Sequence, residues 1–280
     1  MNSYPMHRVV LDEEDTKFLD EEFKWKLVEI ARIARDILLY LPRKIGDYVD
    51  HGIDHSKRII GIINELYDVV NEYCSYKLDV IDVFLLKASA YLHDTGNIIR
   101  SREVHGETSA SIIEKIVQEK FKILTSNETK ALMMISWAHQ GSLLRLISLE
   151  NKFLKIRDKN VNIGFLSALF RLADALDVGV NRASPIVYEV IKEELNEVSR
   201  RHWEDHMAIL RRALDPEEGT ILLFASPEKI ESAKRLADRI TKELRECNII
   251  LREYGFPLKE VEVKRIPDEY VVYRRSISQL

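Results

Sequence analysis

Residues 79–97 read DVIDVFLLKASAYLHDTGN, and this stretch decides the fold of the chain. An aspartate suited to the N-cap position precedes a long apolar run, which predicts a buried helix. The run closes on His93 and Asp94, and Gly96 marks the end of the helix. Adjacent side chains on a regular helix point about 100° apart, so both can face one point only where the helix bends or ends. The stretch therefore predicts a histidine and a carboxylate meeting at the end of a buried helix.

Helical patterns surround this stretch on both sides. Apolar residues at helical spacing predict a helix over residues 13–41 that Pro42 stops, and TSNE at 125–128 is a capping box that opens another. The other predicted helices are about 53–73, roughly 105–121, the one from 125 to near 141, NIGFLSALFRLADALDVG at 162–179, and one that opens at Pro185. The first two-thirds of the chain is therefore expected to be helical.

The last third has a different pattern. Residues 206–226, HMAILRRALDPEEGTILLFAS, predict a strand, a turn and a second strand. An amphipathic helix follows with Ser226 as N-cap and Pro227 at its first position, and VEVKRI at 261–266 alternates like a third strand. We therefore expect a mainly α fold, with a helical domain over residues 1–200 and a small α+β (ββαβ) appendage over residues 201–280.

Composition excludes several classes of protein. The 280 residues carry 42 basic and 46 acidic side chains, so the chain has no global charge that would draw it to nucleic acid or to an anionic membrane. The two cysteines, Cys74 and Cys247, fit neither a disulfide framework nor a CxxC metal site. The N-terminal stretch turns acidic and no apolar run approaches the ~20 residues of a membrane span. We expect a cytoplasmic protein.

Histidines and carboxylates recur at the predicted helix ends. A single histidine of this kind is usually a core residue, but an ordered set contributed by several rigid elements favours metal binding. Asp174 is expected in the middle of a buried helix, where a carboxylate needs a cation or hydrogen-bond donors. Asp177 follows one turn later and is expected to be solvated or to pair with Arg171 or Arg182. The candidate metal ligands are His55, His93, Asp94, Asp174, His105 and His139.

Four of these residues carry a family signature. His55, the His93–Asp94 doublet and Asp174 resemble, in order and surroundings, the H…HD…D signature of the HD-domain metal-dependent phosphohydrolase superfamily. HSKRI, AYLHDTGN and RLADALD are similar to its successive elements, over about residues 50–180. The HG at 51–52 and the ending RLADALDVGVNR look closer to the subgroup associated with GHKL-type ATPases.

The resemblance implies an all-α HD core and roles for these residues. His55, His93, Asp94 and Asp174 would bind a first ion, and Asp94 would bridge to a second that His105 and His139 hold. The imidazole-rich set suits one or two ions of a divalent transition metal (Mn, Fe, Ni, Co or Zn), whereas Mg alone would prefer more oxygen ligands. The metal would activate a water that hydrolyses a nucleotide or related phosphoester. Asp94, His51 and His105 are the catalytic candidates, and His51 is alternatively a ligand, a phosphate contact or a group that orients His55.

The chain departs from many relatives after the doublet, since Asn97 stands where they carry Lys or Glu. The group that contacts the phosphate is therefore open. Arg58, Arg102 and Asn97 are the substrate-binding candidates, with Lys57, Arg100 and Glu107 as further ones by sequence proximity. The GYP signature of cyclic-dinucleotide phosphodiesterases is absent from the sequence, so we do not expect that substrate.

Two other functions compete with hydrolysis of a phosphorylated small molecule. In the first, the site binds metal and nucleotide without turnover and the appendage signals occupancy to a partner. In the second, the site is a di-iron oxygenase, as in some HD relatives. The complete ligand set favours catalysis, because a scaffold does not need a costly buried aspartate. An edge strand in the appendage is also a candidate element for homo-oligomer formation.

Overall fold

A computed structural model of the chain describes residues 9–41, 52–99 and 104–266. These residues form two compact units. The first unit contains the described residues up to Leu176 together with residues 246–256, and the second contains residues 177–245 and 257–266. The predicted domain boundary between residues 200 and 201 does not coincide with the limits of these units, and it stays a prediction.

The first unit is built mainly from helices. Two helices end in short extensions: the helix that ends at Leu92 is followed by a 3-10 turn at Thr95–Ile98, and the helix that ends at Ile112 continues as a π-helix over Ile113–Lys120. Its elements in chain order are α1 (Glu13–Thr16), α2 (Glu21–Leu38), α3 (Ile53–Tyr73), α4 (Val80–Leu92), α5 (His105–Ile112), α6 (Ser126–Ala138), α7 (Leu143–Ile147), β1 (Phe153–Ile156), β2 (Lys159–Asn162) and α8 (Ile163–Ala175).

Side-chain caps fix where the three central helices begin. Asp79 forms a capping box at the start of α4, Thr125 forms one with Glu128 at the start of α6, and Asn162 accepts a hydrogen bond from the third residue of α8. The three helices pack against one another and are largely buried. His93 and His139 occupy the C-cap positions of α4 and α6, and Asp174 is one residue from the end of α8. The packing therefore brings three helix C-termini to one place.

Two expectations about helices are wrong. The helix expected over residues 13–41 is two helices, because Phe18 adopts a left-handed conformation with φ of 64° and Asp20 then caps α2 through the backbone N–H of Phe23. The predicted stop at Pro42 lies outside the described residues, and α2 already ends at Leu38. Asp174 is not in the middle of a fully buried helix, since it lies next to the last residue of α8 and its side chain is 25% exposed.

The hairpin of β1 and β2 was not predicted. Its strands have four residues each and pair antiparallel, from Phe153 opposite Asn162 to Ile156 opposite Lys159. Arg157 turns the chain with a left-handed φ of 54°. The segment contains neither a long alternating run nor the Asn-Gly or Asp-Gly pair that predicts such a turn, so sequence pattern gave no signal.

The second unit contains the small sheet that the sequence predicts. Strands β3 (Ile209–Asp215) and β4 (Thr220–Ala225) pair antiparallel, while β5 (Glu260–Arg265) pairs parallel to β4. The parallel pair requires a long crossover, which α11 (Ile230–Leu251) provides. The helices α9 (Pro185–Ile191) and α10 (Glu197–Met207) precede the sheet. The mainly α fold with a ββαβ appendage is therefore confirmed. No helix among the described residues has both the length and the apolar character needed to span a membrane.

Candidate metal centre

Six side chains from five helices meet in the first unit. His55 is the third residue of α3, His105 is the first residue of α5, and the other four lie at the C-terminal ends of α4, α6 and α8. The aligned peptide dipoles of a helix leave partial negative charge at its C-terminus, so three such ends favour a cation placed between them. The six residues are His55, His93, Asp94, His105, His139 and Asp174.

Backbone carbonyls fix the tautomers of two histidines. His93 Nδ1 lies 3.2 Å from the carbonyl oxygen of Ser89 and 3.1 Å from that of Ala90, and His139 Nδ1 lies 2.5 Å from that of Ser136. A carbonyl oxygen only accepts, so each Nδ1 carries a proton, and Nε2 presents a lone pair when the imidazole is neutral. His93 Nε2 is buried and faces the carboxylates of Asp94 and Asp174. A buried Nε2 that faces carboxylates is suited to bind a metal ion.

One group of atoms surrounds a first position. His55 Nε2 lies 3.3 Å from Asp174 Oδ1 and 3.7 Å from Asp94 Oδ2. His93 Nε2 lies 3.3 Å from Asp94 Oδ2 and 4.0 Å from Asp174 Oδ1. Ligands about 2.1 Å from one ion stand about 3.0–3.5 Å from their neighbours, and a little wider when the site is open. The spacing of these four groups therefore fits a divalent ion.

A second group shares Asp94. The other oxygen of this carboxylate, Oδ1, lies 3.0 Å from His105 Nε2, which in turn lies 3.0 Å from His139 Nε2. Asp94, His105 and His139 each offer one ligand atom within 4.8 Å of the others. The two oxygens of Asp94 thus face two different sets of imidazoles, which is the arrangement of a carboxylate that bridges two ions.

Burial and neighbouring charge set the protonation of the cluster. Burial, with the nearby His93 and His105, lowers the pKa of His139 to about 3, so this imidazole is neutral and available as a ligand. Burial also acts to lower the pKa of His93, but the Asp94 and Asp174 carboxylates outweigh it and the pKa is raised. An ion would take the place of the proton that these carboxylates attract.

One of the six candidate ligands is more exposed than the others. The Asp174 side chain is 25% exposed, whereas the other five candidate ligands are between 1% and 6% exposed. Among these six side chains, Asp174 is therefore the one that solvent contacts most.

Two glycines allow α5 to bring His105 to its neighbours. A Cβ on Gly96 would lie 2.1 Å from the carbonyl oxygen of His105, and a Cβ on Gly106 would lie 2.9 Å from that of Ser136. Both distances are shorter than a van der Waals contact between a carbon and an oxygen atom, so only glycine, which has no Cβ, permits these contacts. Gly96 thus lets α5 reach the turn after Asp94, and Gly106 lets it reach the end of α6.

Ser109, on α5, forms hydrogen bonds across the close contact between α5 and Gly96. Its hydroxyl accepts a hydrogen bond from the backbone N–H of Gly96 at 2.8 Å and donates to the carbonyl oxygen of His93 at 2.5 Å. Both bonds are buried, so Ser109 stabilises the turn that separates His93 and Asp94 from α5.

Replacing Ser109 with alanine is expected to lower the free energy of unfolding by about 1–3 kcal/mol, because the buried N–H of Gly96 loses its acceptor. Chemical denaturation of the metal-free protein measures this loss. Ser111→Ala is the control, since Ser111 is half-buried on the same helix and its substitution should change stability by less than about 0.5 kcal/mol. Equal stability of the two variants would contradict the role given to Ser109.

The other predicted site residues have varied surroundings. Asn97 donates a hydrogen bond to Asp94, and Arg58 is half-buried on α3, three residues after His55. His51, Arg100 and Arg102 lie outside the described residues. The remaining cationic and acidic candidates already have partners: Lys57 pairs with Asp12 and Asp15, and Glu107 with Arg145.

Asp177 is not solvated, since it is 3% exposed, but its expected pairing with Arg182 is confirmed. Its Oδ2 lies 3.9 Å from Arg182 Nε, and Arg182 also donates to its backbone carbonyl oxygen at 2.7 Å. Arg171 instead pairs with Glu246 and donates to the carbonyl oxygen of Gly141. Sequence reasoning also missed Gly96, Gly106 and Ser109 as supports of the centre, since only the HG at 105–106 and the TG after the doublet hint at close backbone approach.

The chain matches the model of a known protein family. The family model described as HD-CE matches residues 45–246, a span that includes all six candidate ligands. No curated protein matches the chain.

Proposed function

The chain belongs to the HD-CE family, an HD-domain family, and from that premise we propose that it is a metal-dependent phosphohydrolase acting on a nucleotide or related phosphoester. The observation that carries the proposal is the placement of Asp94. One of its oxygens lies beside His55 and His93, and the other lies beside His105. A bridging carboxylate among buried imidazoles suits a centre of two divalent ions.

The donor set defines which residues would hold the ions. His55, His93, Asp94 and Asp174 would hold the first, and Asp94, His105 and His139 the second. Imidazole-rich sites favour Mn, Fe, Co, Ni or Zn over Mg. Ions held there supply Lewis acidity toward a phosphoryl oxygen and make water nucleophilic near neutral pH. The neutral imidazole of His139, the backbone hydrogen bonds that orient His93 and the burial of five of the six ligands suit the cluster to this chemistry.

Phosphate contacts are proposed from position along the chain. A phosphoester would enter beside Asp174, the exposed member of the cluster. Arg58 follows His55 by one turn of α3 and is the described cation that we assign to the phosphate, with His51 and Arg102 as the other candidates. Asp94 Oδ1 and His105 Nε2 lie 3.0 Å apart, a spacing that suits two ligands of one ion, and both residues are proposed to act in catalysis through that ion. Association with GHKL-type ATPases and homo-oligomer formation through the small sheet remain predictions.

Hydrolysis is the property that separates an enzyme from a sensor. The protein, reconstituted with Mn, Fe, Co, Ni or Zn, is expected to cleave at least one member of a panel of phosphomonoesters, phosphodiesters and nucleoside triphosphates. Asp174→Ala should lower the rate by at least about 10²-fold, because the first position loses a ligand. Asp68→Ala, at an exposed site on α3, is the control.

The alternative functions give different results in the same experiment. Nucleotide binding without turnover in the metal-loaded protein would contradict the enzyme proposal and favour the sensor. Oxygen consumption by the iron-loaded protein in the absence of phosphoester cleavage would favour the oxygenase.

A further inference from the structure

Asn97 lies in the 3-10 turn that follows Asp94, and its side chain points back to that carboxylate. Its amide Nδ2 donates a hydrogen bond to Asp94 Oδ1 at 3.1 Å. We propose that Asn97 is a positioning residue that holds the Asp94 carboxylate in its bridging orientation and thereby sets the affinity of the second metal position. This inference rests on the two-ion centre of the proposed function.

The hydrogen bond acts on the oxygen that faces the second position. Oδ1 is the oxygen that lies 3.0 Å from His105 Nε2, whereas Oδ2 lies 3.3 Å from His93 Nε2. Rotation of the carboxylate about its Cβ–Cγ bond would move Oδ1 away from His105, whereas the first position keeps three ligands that do not depend on this torsion, namely His55, His93 and Asp174. The terminal torsion of an aspartate is broad, so a fixed donor is needed to hold it. Asn97 provides that donor within the same turn of chain.

Three hydrogen bonds stabilise the turn that contains Asn97. The Asn97 backbone N–H donates to the carbonyl oxygen of Asp94 at 3.0 Å. Gly96 donates to Ser109, and the Thr95 hydroxyl donates to the carbonyl oxygen of Leu92 at 2.7 Å. The backbone of Asn97 is therefore fixed relative to Asp94, and its short side chain reaches Oδ1 without a flexible stem.

The amide oxygen of Asn97 does not determine the orientation of the side chain. The Asn97 Oδ1 atom is buried and accepts no hydrogen bond from any residue that the structure describes. A buried carbonyl oxygen without a donor costs free energy, so the bond from Nδ2 to Asp94 is the interaction that orients the side chain. The amide is also neutral, so it orients the carboxylate without cancelling the negative charge that two cations require.

This role differs from the substrate contact expected from the sequence. A residue that contacts only substrate would change KM and leave metal binding as it is. A residue that orients a bridging ligand acts on metal affinity before any substrate is present, and loss of such a partner weakens metal binding by about 10–100-fold. The two roles are therefore separable without an activity assay.

The test is a chelator-competition titration of Mn²⁺ into the metal-free full-length protein, with EPR spectra at each step. Asn97→Ala and Asn97→Leu both remove the donor, and the leucine variant retains similar volume. Both are expected to bind the first ion as the wild type does and the second about 10–100-fold more weakly. The spectrum of a spin-coupled manganese pair should give way to that of separate ions. Ile99→Ala is the control, because this residue ends the same turn and is 67% exposed.

The outcomes distinguish this inference from the proposed function. Wild-type affinity for both ions in the Asn97 variants, with an intact spin-coupled spectrum, would overturn the positioning role, and a raised KM would then assign Asn97 to the substrate. Weakening of both ions together, with a lower melting temperature of the metal-free protein, would overturn it too. A wild type that binds a coupled pair but hydrolyses no phosphoester would overturn the proposed function and leave the role of Asn97 intact. A wild type that binds a single ion would overturn the positioning role, which needs the second position, and would leave a one-ion phosphohydrolase as the proposed function.

Discussion

Replacing Asp94 with alanine is expected to abolish binding at both metal positions and to lower phosphoester hydrolysis on the order of 10³-fold or more. Asp94 is the only one of the six candidate ligands placed to serve both positions with different atoms, through Oδ2 toward His55 and His93 and Oδ1 toward His105. Its removal takes one ligand from each position and the one negative charge that the two positions share. Metal content after gel filtration and the hydrolysis rate measure the two effects.

Matched variants separate this effect from loss of folding. His139→Ala removes a ligand assigned to the second position and keeps His55, His93, Asp94 and Asp174, so the first ion should remain bound. Asp68→Ala changes an exposed aspartate on α3 and should leave both ions in place. An Asp94→Ala protein that keeps one ion at wild-type affinity would show that Asp94 does not bridge.

Substituting alanine for Gly96 is expected to destabilise the protein by about 2–3 kcal/mol and to remove the second ion. The added Cβ would lie 2.1 Å from the carbonyl oxygen of His105 and 2.6 Å from the backbone nitrogen of Ser109. Both atoms belong to the backbone of α5, so the clash is relieved only by moving the helix that supplies His105. Denaturant unfolding and metal content measure the two effects.

Gly61 offers the matched control for this substitution. It lies inside α3, and a Cβ there would meet nothing within 4 Å. Gly61→Ala should therefore stabilise the protein by about 0.5–1 kcal/mol, as alanine does in a helix interior. If Gly96→Ala were as stable as the wild type and bound both ions, the close approach of α5 to the turn would not be essential.

The sequence predicts the features of this fold that depend on local chemistry. Thr125 and Asp79 begin their helices because a short polar side chain satisfies free backbone N–H groups, and that can be read from neighbouring residues alone. The His93–Asp94 doublet predicts its own position at a helix end by the same kind of argument. The ββαβ order follows from alternation and from one amphipathic helix.

Features that depend on packing between distant segments could not be predicted. Asp174 and Asp177 are alike in sequence, yet the burial of each depends on where α8 ends and what packs around it. The contact of Gly96 with His105 joins residues on either side of a loop, and glycine alone does not indicate which backbone approaches it. Asn97 reads as a substrate contact until its amide is seen to reach Asp94.

The most direct test of the two-ion centre is the metal content of the reconstituted wild-type protein, measured by elemental analysis alongside His139→Ala. The account predicts two ions of one transition metal per wild-type chain and one per His139→Ala chain. Protein that holds no ion under any reconstitution condition, or an equal number of ions in both proteins, would contradict it.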